Sequence, residues 1–182
     1  MKKYTLTASL LSTFFISSVF GQGLSGGSAT TNISVTARVA QVCSVSTSTN
    51  LNFASYDPVN VNATTALNST AQISIACTKG STSVTVGLGY GVAPSGTQRT
   101  MTGTTSGGIL QYNIFQPPTL VAGAVCTFPG KTAWGNTTST SIALSNAPDS
   151  QVRSYNICGT IPAGQSVAAD AYSDTITATI DF

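Results

Sequence analysis

The chain has 182 residues, of which only 7% are charged, and its formal net charge is +2 with no histidine. So few charges cannot build the basic surface that drives nucleic-acid binding, so we expect no nucleic-acid partner. Without histidine, a Ser-His-Asp or Cys-His catalytic site cannot be assembled, and no glutamate is present to partner the five aspartates. The composition therefore points to a structural or binding protein and not to an enzyme.

Residues 1–21 have the pattern of a secretory signal peptide. Lys2 and Lys3 precede an apolar stretch from Leu6 to Phe20, which is shorter than the roughly 20 residues that a membrane-spanning helix needs. Val19 and Gly21 are small or slender, as required before the cut, so we expect cleavage after Gly21. The mature protein is then exported, formally neutral and without a membrane segment.

Residues 22–40 divide into a flexible part and a strand. The segment 22–30 is rich in Gly and Ser and indicates a linker. Apolar and polar residues then alternate, which predicts a strand with one apolar face. That face consists of Ile33, Val35, Ala37 and Val39. Such a strand suits addition to the edge of another sheet, or it is the first strand of its own sandwich.

Period-two alternation continues along the rest of the chain. Strands are predicted around residues 73–77, 84–88 and 176–182, with turn-rich stretches between such segments and no sustained helical periodicity. This pattern is typical of a β-sandwich. We therefore expect a single all-β domain over residues 41–182, following the signal peptide at 1–21 and the extension at 22–40.

Four cysteines in an exported chain are expected to pair. They are Cys43, Cys77, Cys126 and Cys158. Sequence alone allows three connectivities. Their wide spacing and the lack of histidine argue against a zinc site, and we expect neither a metal nor a cofactor.

Three other features were candidates for chemistry. Asp170 and Asp174 flank a Tyr-Ser pair and are interpreted as solvated turn residues rather than a catalytic pair. The glycines from Gly87 to Gly91 lack a following helix and indicate a strand end rather than a dinucleotide site. Trp134 could stack on a sugar, but a core position is favoured because polar partners do not flank it.

Several short segments follow one another in a fixed order along the chain. They are Leu-Asn-Phe at 51–53, Tyr-Asp-Pro at 56–58, Ile-Ser-Ile-Ala-Cys-Thr-Lys-Gly at 73–80, Leu-Gln-Tyr-Asn-Ile-Phe at 110–115, Trp-Gly at 134–135, Tyr155, Gly-Thr-Ile-Pro-Ala-Gly-Gln at 159–165, and Tyr-Ser-Asp-Thr-Ile at 172–176 before the final Phe182. Each segment is weak alone, but the ordered set is specific. It resembles the spore coat protein U domain, a family that supplies pilin subunits of archaic chaperone–usher pili of the Csu type.

The resemblance implies an immunoglobulin-like β-sandwich that lacks its last strand. A periplasmic chaperone would fill the open groove first, and then the donor strand of a neighbouring pilin subunit, here Ile33, Val35, Ala37 and Val39, would replace it during assembly at an outer-membrane usher. It also implies a Cys43–Cys77 disulfide, which leaves Cys126 and Cys158 for the second.

The function so implied is that of a structural subunit of an adhesive pilus, located in the periplasm during assembly and then on the cell surface, where it supports attachment and biofilm formation. Two alternatives stay open. One is a secreted spore-coat or surface protein of the same fold that does not polymerise. The other is a carbohydrate-binding module, which would need Trp134 and the loop at Tyr90 to be exposed and close together.

Overall fold

The computed structural model describes residues 26–182, so the expected signal peptide and the cleavage after Gly21 lie outside the described residues. Residues 26–42 have exposed side chains and no regular secondary structure. The strand predicted over 33–39 is therefore not formed in the single chain. An extended segment becomes a β-strand only when a neighbouring strand takes its backbone hydrogen bonds, and within residues 26–182 none pairs with it.

The regular elements from residue 38 onward are almost entirely strands. In chain order they are β1 Cys43–Thr49, α1 Val61–Thr64, β2 Leu67–Cys77, β3 Thr85–Leu88, β4 Arg99–Gly103, β5 Ile109–Phe115, β6 Ile142–Ala143, β7 Arg153–Ile161, β8 Tyr172–Ser173 and β9 Ala178–Asp181. The predicted strands at 73–77 and 84–88 correspond to β2 and β3, and the one at 176–182 to the shorter β9. Within the described part of the chain, no helix is long and apolar enough to span a membrane.

The strands form two antiparallel sheets. The larger sheet has the order β1-β2-β7-β5-β4-β8, and the smaller one has the order β6-β3-β9. The longest ladder joins β2 and β7, in register from Leu67 opposite Ile161 to Ile75 opposite Arg153. The expected all-β, sandwich-type architecture is confirmed.

A single hydrophobic core joins the two sheets. Alternate residues of β2 and β7, among them Ile73 and Ile157, are buried together with Val86 and Leu88 of β3. Because side chains on a strand alternate between its faces, the residues between them point away from the core. Most residues on the outward face of β2 and β7 are accordingly polar, and Gln72 donates a hydrogen bond to Asn156 across the sheet at 3.1 Å.

Two disulfides fasten the larger sheet. Cys43–Cys77 joins the start of β1 to the end of β2, and Cys126–Cys158 ties the long connection after β5 to β7. Thr78, next to the first bridge, secures the residues that precede β1. Its hydroxyl donates to the carbonyl of Ala40 and accepts from the N–H of Val42, and its own N–H donates to the Val42 carbonyl. These hydrogen bonds hold the chain against the domain from Ala40 onward.

Candidate functional site: an open groove beside the C-terminal strand

A groove lies at the surface of residues 38–182, between β1 and the C-terminal residues 172–178. We call it the central groove. It encloses about 470 Å³, and its rims include Thr47 and Thr49 on one side and Ile176 and Ala178 on the other. No strand of the described residues lies between β1 and β9, although their Cα atoms approach to 8 Å or less.

The floor of the central groove is the inner face of the core. Ala71 and Ile73 of β2, Ile157 of β7, Tyr112 of β5 and Leu88 of β3 line it. All five side chains are buried and belong to the hydrophobic core, so the groove reaches down to the core of the sandwich. An apolar floor of this kind favours an apolar occupant.

Residues 171–181 form the C-terminal side of the central groove, which we call the wall. Their side chains alternate strictly between two faces. From Ala171 to Asp181, even-numbered residues are half-buried and odd-numbered residues are exposed. Ile176, Ala178 and Ile180 pack against the core without being covered. Since β3 is the one strand of residues 26–182 that pairs with β9, the other edge of β9 has free backbone donors and acceptors within this range. This wall has the two properties that β-strand addition needs: a free edge and a row of apolar side chains at two-residue spacing.

A second groove continues from the first toward the end of the sandwich where β1 finishes. We call it the end groove. It encloses about 1060 Å³ between residues 50–59 and 167–172, and it shares Leu51, Phe53 and Met101 with the central groove. Val59, beside it, is largely exposed. The apolar surface of the central groove is therefore open at this end.

Polar residues beside the central groove are mutually satisfied. Asp174 accepts hydrogen bonds from the Tyr112 hydroxyl at 2.6 Å and from the Val92 N–H at 2.8 Å. Burial raises the pKa of Tyr112, and its hydrogen bond to Asp174 raises it further. The sequence interpretation of Asp174 as a solvated turn residue is therefore wrong, because its carboxylate is drawn inward by a buried tyrosine.

Arg99 is buried under Tyr90, whose ring centroid lies 5.1 Å from the guanidinium carbon. The guanidinium donates to the carbonyls of Gly89, Leu88 and Trp134 at 2.7–2.8 Å. Burial lowers the pKa of Arg99, while Tyr112, Tyr90 and Asp174 act in the opposite direction. The guanidinium thus holds together the strand end and the loop around it, using Nε and one terminal nitrogen as donors.

Asp170 does behave as a turn residue. Its carboxylate accepts from the N–H groups of Thr105 and Ser106 and from the Ser106 hydroxyl at 2.6–2.9 Å. These hydrogen bonds, chiefly those from Ser106, lower the pKa of Asp170 to about 2. The carboxylate is therefore occupied in fixing the turn between β4 and β5.

Trp134 is fully buried, and its indole N–H donates to the Val86 carbonyl at 2.9 Å. The core position favoured from the sequence is confirmed. A sugar could not stack on this ring, so the condition set for a carbohydrate-binding module is not met. Among residues 26–182, no three His, Cys, Asp or Glu side chains are grouped to hold a metal ion.

The apolar residues of the N-terminal extension are strongly exposed. Ile33, Val35 and Val39 have exposed fractions of 82%, 89% and 81%, and Ala37 is exposed as well. Large apolar side chains at such exposure, spaced every two residues, are unfavourable in water unless a partner covers them. The alternation marked these four residues directly, whereas an open groove was expected only from the family resemblance, because the residues that form it are far apart in the chain.

Comparisons with known proteins agree on one family. The sequence model of the Spore Coat Protein U domain matches residues 29–179. The chain is 33% identical over 166 residues to Protein U of Myxococcus xanthus, and the match covers 85% of each protein. These two matches extend over most of the chain.

Among solved structures, the fold resembles a chain in the crystal structure of the CsuC–CsuE chaperone–tip adhesion subunit pre-assembly complex, from archaic chaperone–usher Csu pili of Acinetobacter baumannii. The TM-score is 0.54 over 79% of this chain, at 21% identity. The match spans 40% of that other chain, so it describes a shared all-β, immunoglobulin-like fold for part of a longer protein.

Proposed function

Since the chain belongs to the Spore Coat Protein U domain family, we propose that it is a structural subunit of an extracellular pilus, assembled by a chaperone–usher pathway through donor-strand complementation. Residues 33–39 of one copy would fill the central groove of the next. The observation that carries the proposal is the match between an uncovered apolar wall with a free strand edge and an exposed apolar segment of the same chain.

The lengths of the two parts agree. An extended strand rises about 3.4 Å per residue, so residues 33–39 span roughly 20 Å. The same six-residue step on the wall runs from Asp174 to Ile180 and presents four inward positions at the spacing of the donor side chains. Burying each larger apolar donor residue contributes about 1.5–3 kcal/mol, and each strand hydrogen bond about 0.5–1.5 kcal/mol net.

The direction of insertion follows from where the N-terminal extension (residues 22–40), here called the arm, leaves its own domain. Cys43 lies opposite Cys77, and Asp181 lies opposite Thr85, so the start of β1 and the end of β9 share one end of the sandwich. The arm therefore leaves the domain at that end. A donor parallel to β9 would bring the donating body to that same end, where the acceptor's own arm emerges. A filament needs contacts at opposite ends of each subunit, which favours an antiparallel donor with Val39 toward Asp174.

Insertion should also widen the groove. A strand between β1 and β9 would hold them roughly 9.5 Å apart, at two inter-strand spacings. Their Cα atoms come as close as 8 Å or less, so β1 has to move outward. A periplasmic chaperone that holds the groove open before assembly fits this requirement, and an outer-membrane usher, surface attachment and biofilm formation belong to the same proposal.

In this role the protein is structural rather than catalytic. It would be exported, reside in the periplasm during assembly and end on the cell surface. Residues 1–21 would then act as the signal peptide, residues 22–40 as the linker and donor strand, and residues 41–182 as the acceptor domain.

A coat protein of the same fold that does not polymerise is the second candidate. The family is named after a spore coat protein, and the chain is 33% identical to Protein U. Gel electrophoresis of surface material without heating separates the two. The pilus proposal expects a ladder of multimers that collapses to monomer on boiling and that is absent when residues 31–40 are deleted. Monomer alone from the intact chain before boiling would contradict it.

A further inference from the structure

The C-terminal strand changes sheets halfway along its length. β8 pairs with β4 in the larger sheet, whereas β9 pairs with β3 in the smaller one. Between them, the carbonyl of Thr177 accepts from the Gly89 N–H, but residues 174–176 pair with no strand in the described part of the chain. This unpaired stretch forms part of the wall of the central groove.

Hydrogen bonds to the Asp174 side chain hold this stretch, which has no paired strand within residues 26–182. Its carboxylate accepts from the Tyr112 hydroxyl on the groove floor, from the Val92 N–H in the loop after β3, and from the Thr175 N–H at 2.8 Å within the wall itself. One side chain thus connects floor, loop and wall.

Gly91 leaves the space that this carboxylate needs. A Cβ at Gly91 would lie 2.0 Å from Oδ2 of Asp174. The glycine also has φ +97°, a backbone conformation that residues with a Cβ rarely adopt. The local backbone is therefore shaped around the carboxylate, which argues against a chance contact.

We propose that Asp174 is a positioning residue for donor-strand uptake. It keeps residues 174–177 extended between β8 and β9, so that Ile176 and Ala178 face the groove and the free edge stays straight enough to pair with the incoming strand. This inference rests on the proposed function. It goes further by assigning the acceptor's alignment to one carboxylate rather than to the apolar wall alone.

The role is separable from general stability because the body of the sandwich is held elsewhere. The β2–β7 ladder, both disulfides and the buried Trp134 do not involve Asp174. Loss of its hydrogen bonds should therefore loosen the groove wall while the larger sheet stays intact.

Four variants of the full chain test this. Asp174→Ala removes all three acceptor contacts. Asp174→Asn keeps one oxygen as acceptor and offers an N–H₂ to the Tyr112 oxygen, so it should restore most of the function. Tyr112→Phe removes only the hydroxyl and keeps the ring. Asp57→Ala is the matched control, because Asp57 also accepts from two backbone N–H groups and one side chain, those of Val59 and Asn60, but does not line the central groove.

Two readouts are taken on purified polymer: the rate at which subunits are released in denaturant, and hydrogen exchange at residues 33–39 and 175–180 compared with residues 69–75. For Asp174→Ala we expect release to be faster by about tenfold or more, with faster exchange at the donor and the wall and unchanged exchange in β2. Tyr112→Phe should show the same pattern to a smaller degree. Asp174→Asn and Asp57→Ala should release at close to the wild-type rate.

Wild-type polymer with unchanged release in both Asp174→Ala and Tyr112→Phe would overturn this inference alone. So would equal acceleration of exchange in the wall and in β2, which would reveal a merely structural role. Absence of polymer from the wild-type chain would overturn the proposed function and the inference with it. If Asp174→Ala yields no folded subunit, the comparison of Tyr112→Phe with wild type decides.

Discussion

Replacing Val35 by arginine should stop polymerisation while leaving the subunit's own domain folded. Val35 is 89% exposed in the single chain, so the substitution removes no contact within its own subunit. On the donor account the side chain enters the neighbour's central groove, where full burial of a valine contributes about 1.5–3 kcal/mol. An unpaired guanidinium in that place adds a desolvation cost of several kcal/mol. The junction then loses at least about 4 kcal/mol, or roughly a thousandfold in affinity.

The matched control is Thr36→Arg. Thr36 is the next residue along the strand, and the period of two points it to the opposite, solvent-facing side. The two variants carry the same added charge at neighbouring positions, so a difference between them reports the face of the strand and not the net charge. Thr36→Arg should therefore assemble nearly as well as the wild type.

The assay is polymer length on the cell surface by electron microscopy, together with the amount of soluble, disulfide-bonded subunit in the periplasm. Short or absent polymer for Val35→Arg with normal subunit is the expected result. Equal polymer from both variants would contradict insertion of Val35 into the neighbour's groove. Loss of folded subunit in Val35→Arg alone would show that residues 31–40 belong to the core of their own domain.

Three further predictions concern the β-sandwich of residues 41–182. The disulfides close loops with sequence separations of 34 and 32 residues, so Cys158→Ser should lower the free energy of unfolding by about 3–4 kcal/mol in a denaturant titration, and a stability unchanged from wild type would contradict this. Trp134→Ala should cost about 3–5 kcal/mol in the same titration because the indole is fully buried, and a loss under 1 kcal/mol would show that the site is not core. The pKa of Asp170 is about 2 against an ordinary 3.8. The stability that its carboxylate gives to the turn between β4 and β5 should therefore be complete above about pH 4 and lost as the pH falls through about 2. Amide exchange at Ser106 should accelerate over that range in the wild type and show no such step in Asp170→Asn, and identical profiles would refute the assignment.

Much of the fold was predictable because it depends on local alternation. Period-two alternation predicts the buried faces of β2, with Ile73 and Ile75, and of β3, with Val86 and Leu88. The same rule predicts a strand with an apolar face over residues 33–39. That segment stays without regular structure in the single chain because pairing is a property of two segments, and alternation in one cannot supply the other.

The groove and its network were not predictable in the same way. Tyr112 and Asp174 are 62 residues apart, and nothing in the residues around Asp174 distinguishes it from Asp170, which does serve a turn. Only the crossing of the C-terminal strand from one sheet to the other brings its carboxylate beside the tyrosine. Similarly, Thr78 gave no sign that its hydroxyl secures Ala40 and Val42, because that role follows from the register of β1 on β2.

Residues 33–39 of one copy are proposed to fill the groove beside β9 of another. Cryo-electron microscopy of polymer sheared from the cell surface tests this proposal most directly, because the path of the backbone shows which subunit supplies each strand. We expect an antiparallel strand on the free edge of β9, continuous with the body of the adjacent subunit, with Val35 directed into the groove. A groove occupied by residues 31–40 of its own chain, or an adjacent subunit joined through any other surface with the groove empty, would contradict the proposal.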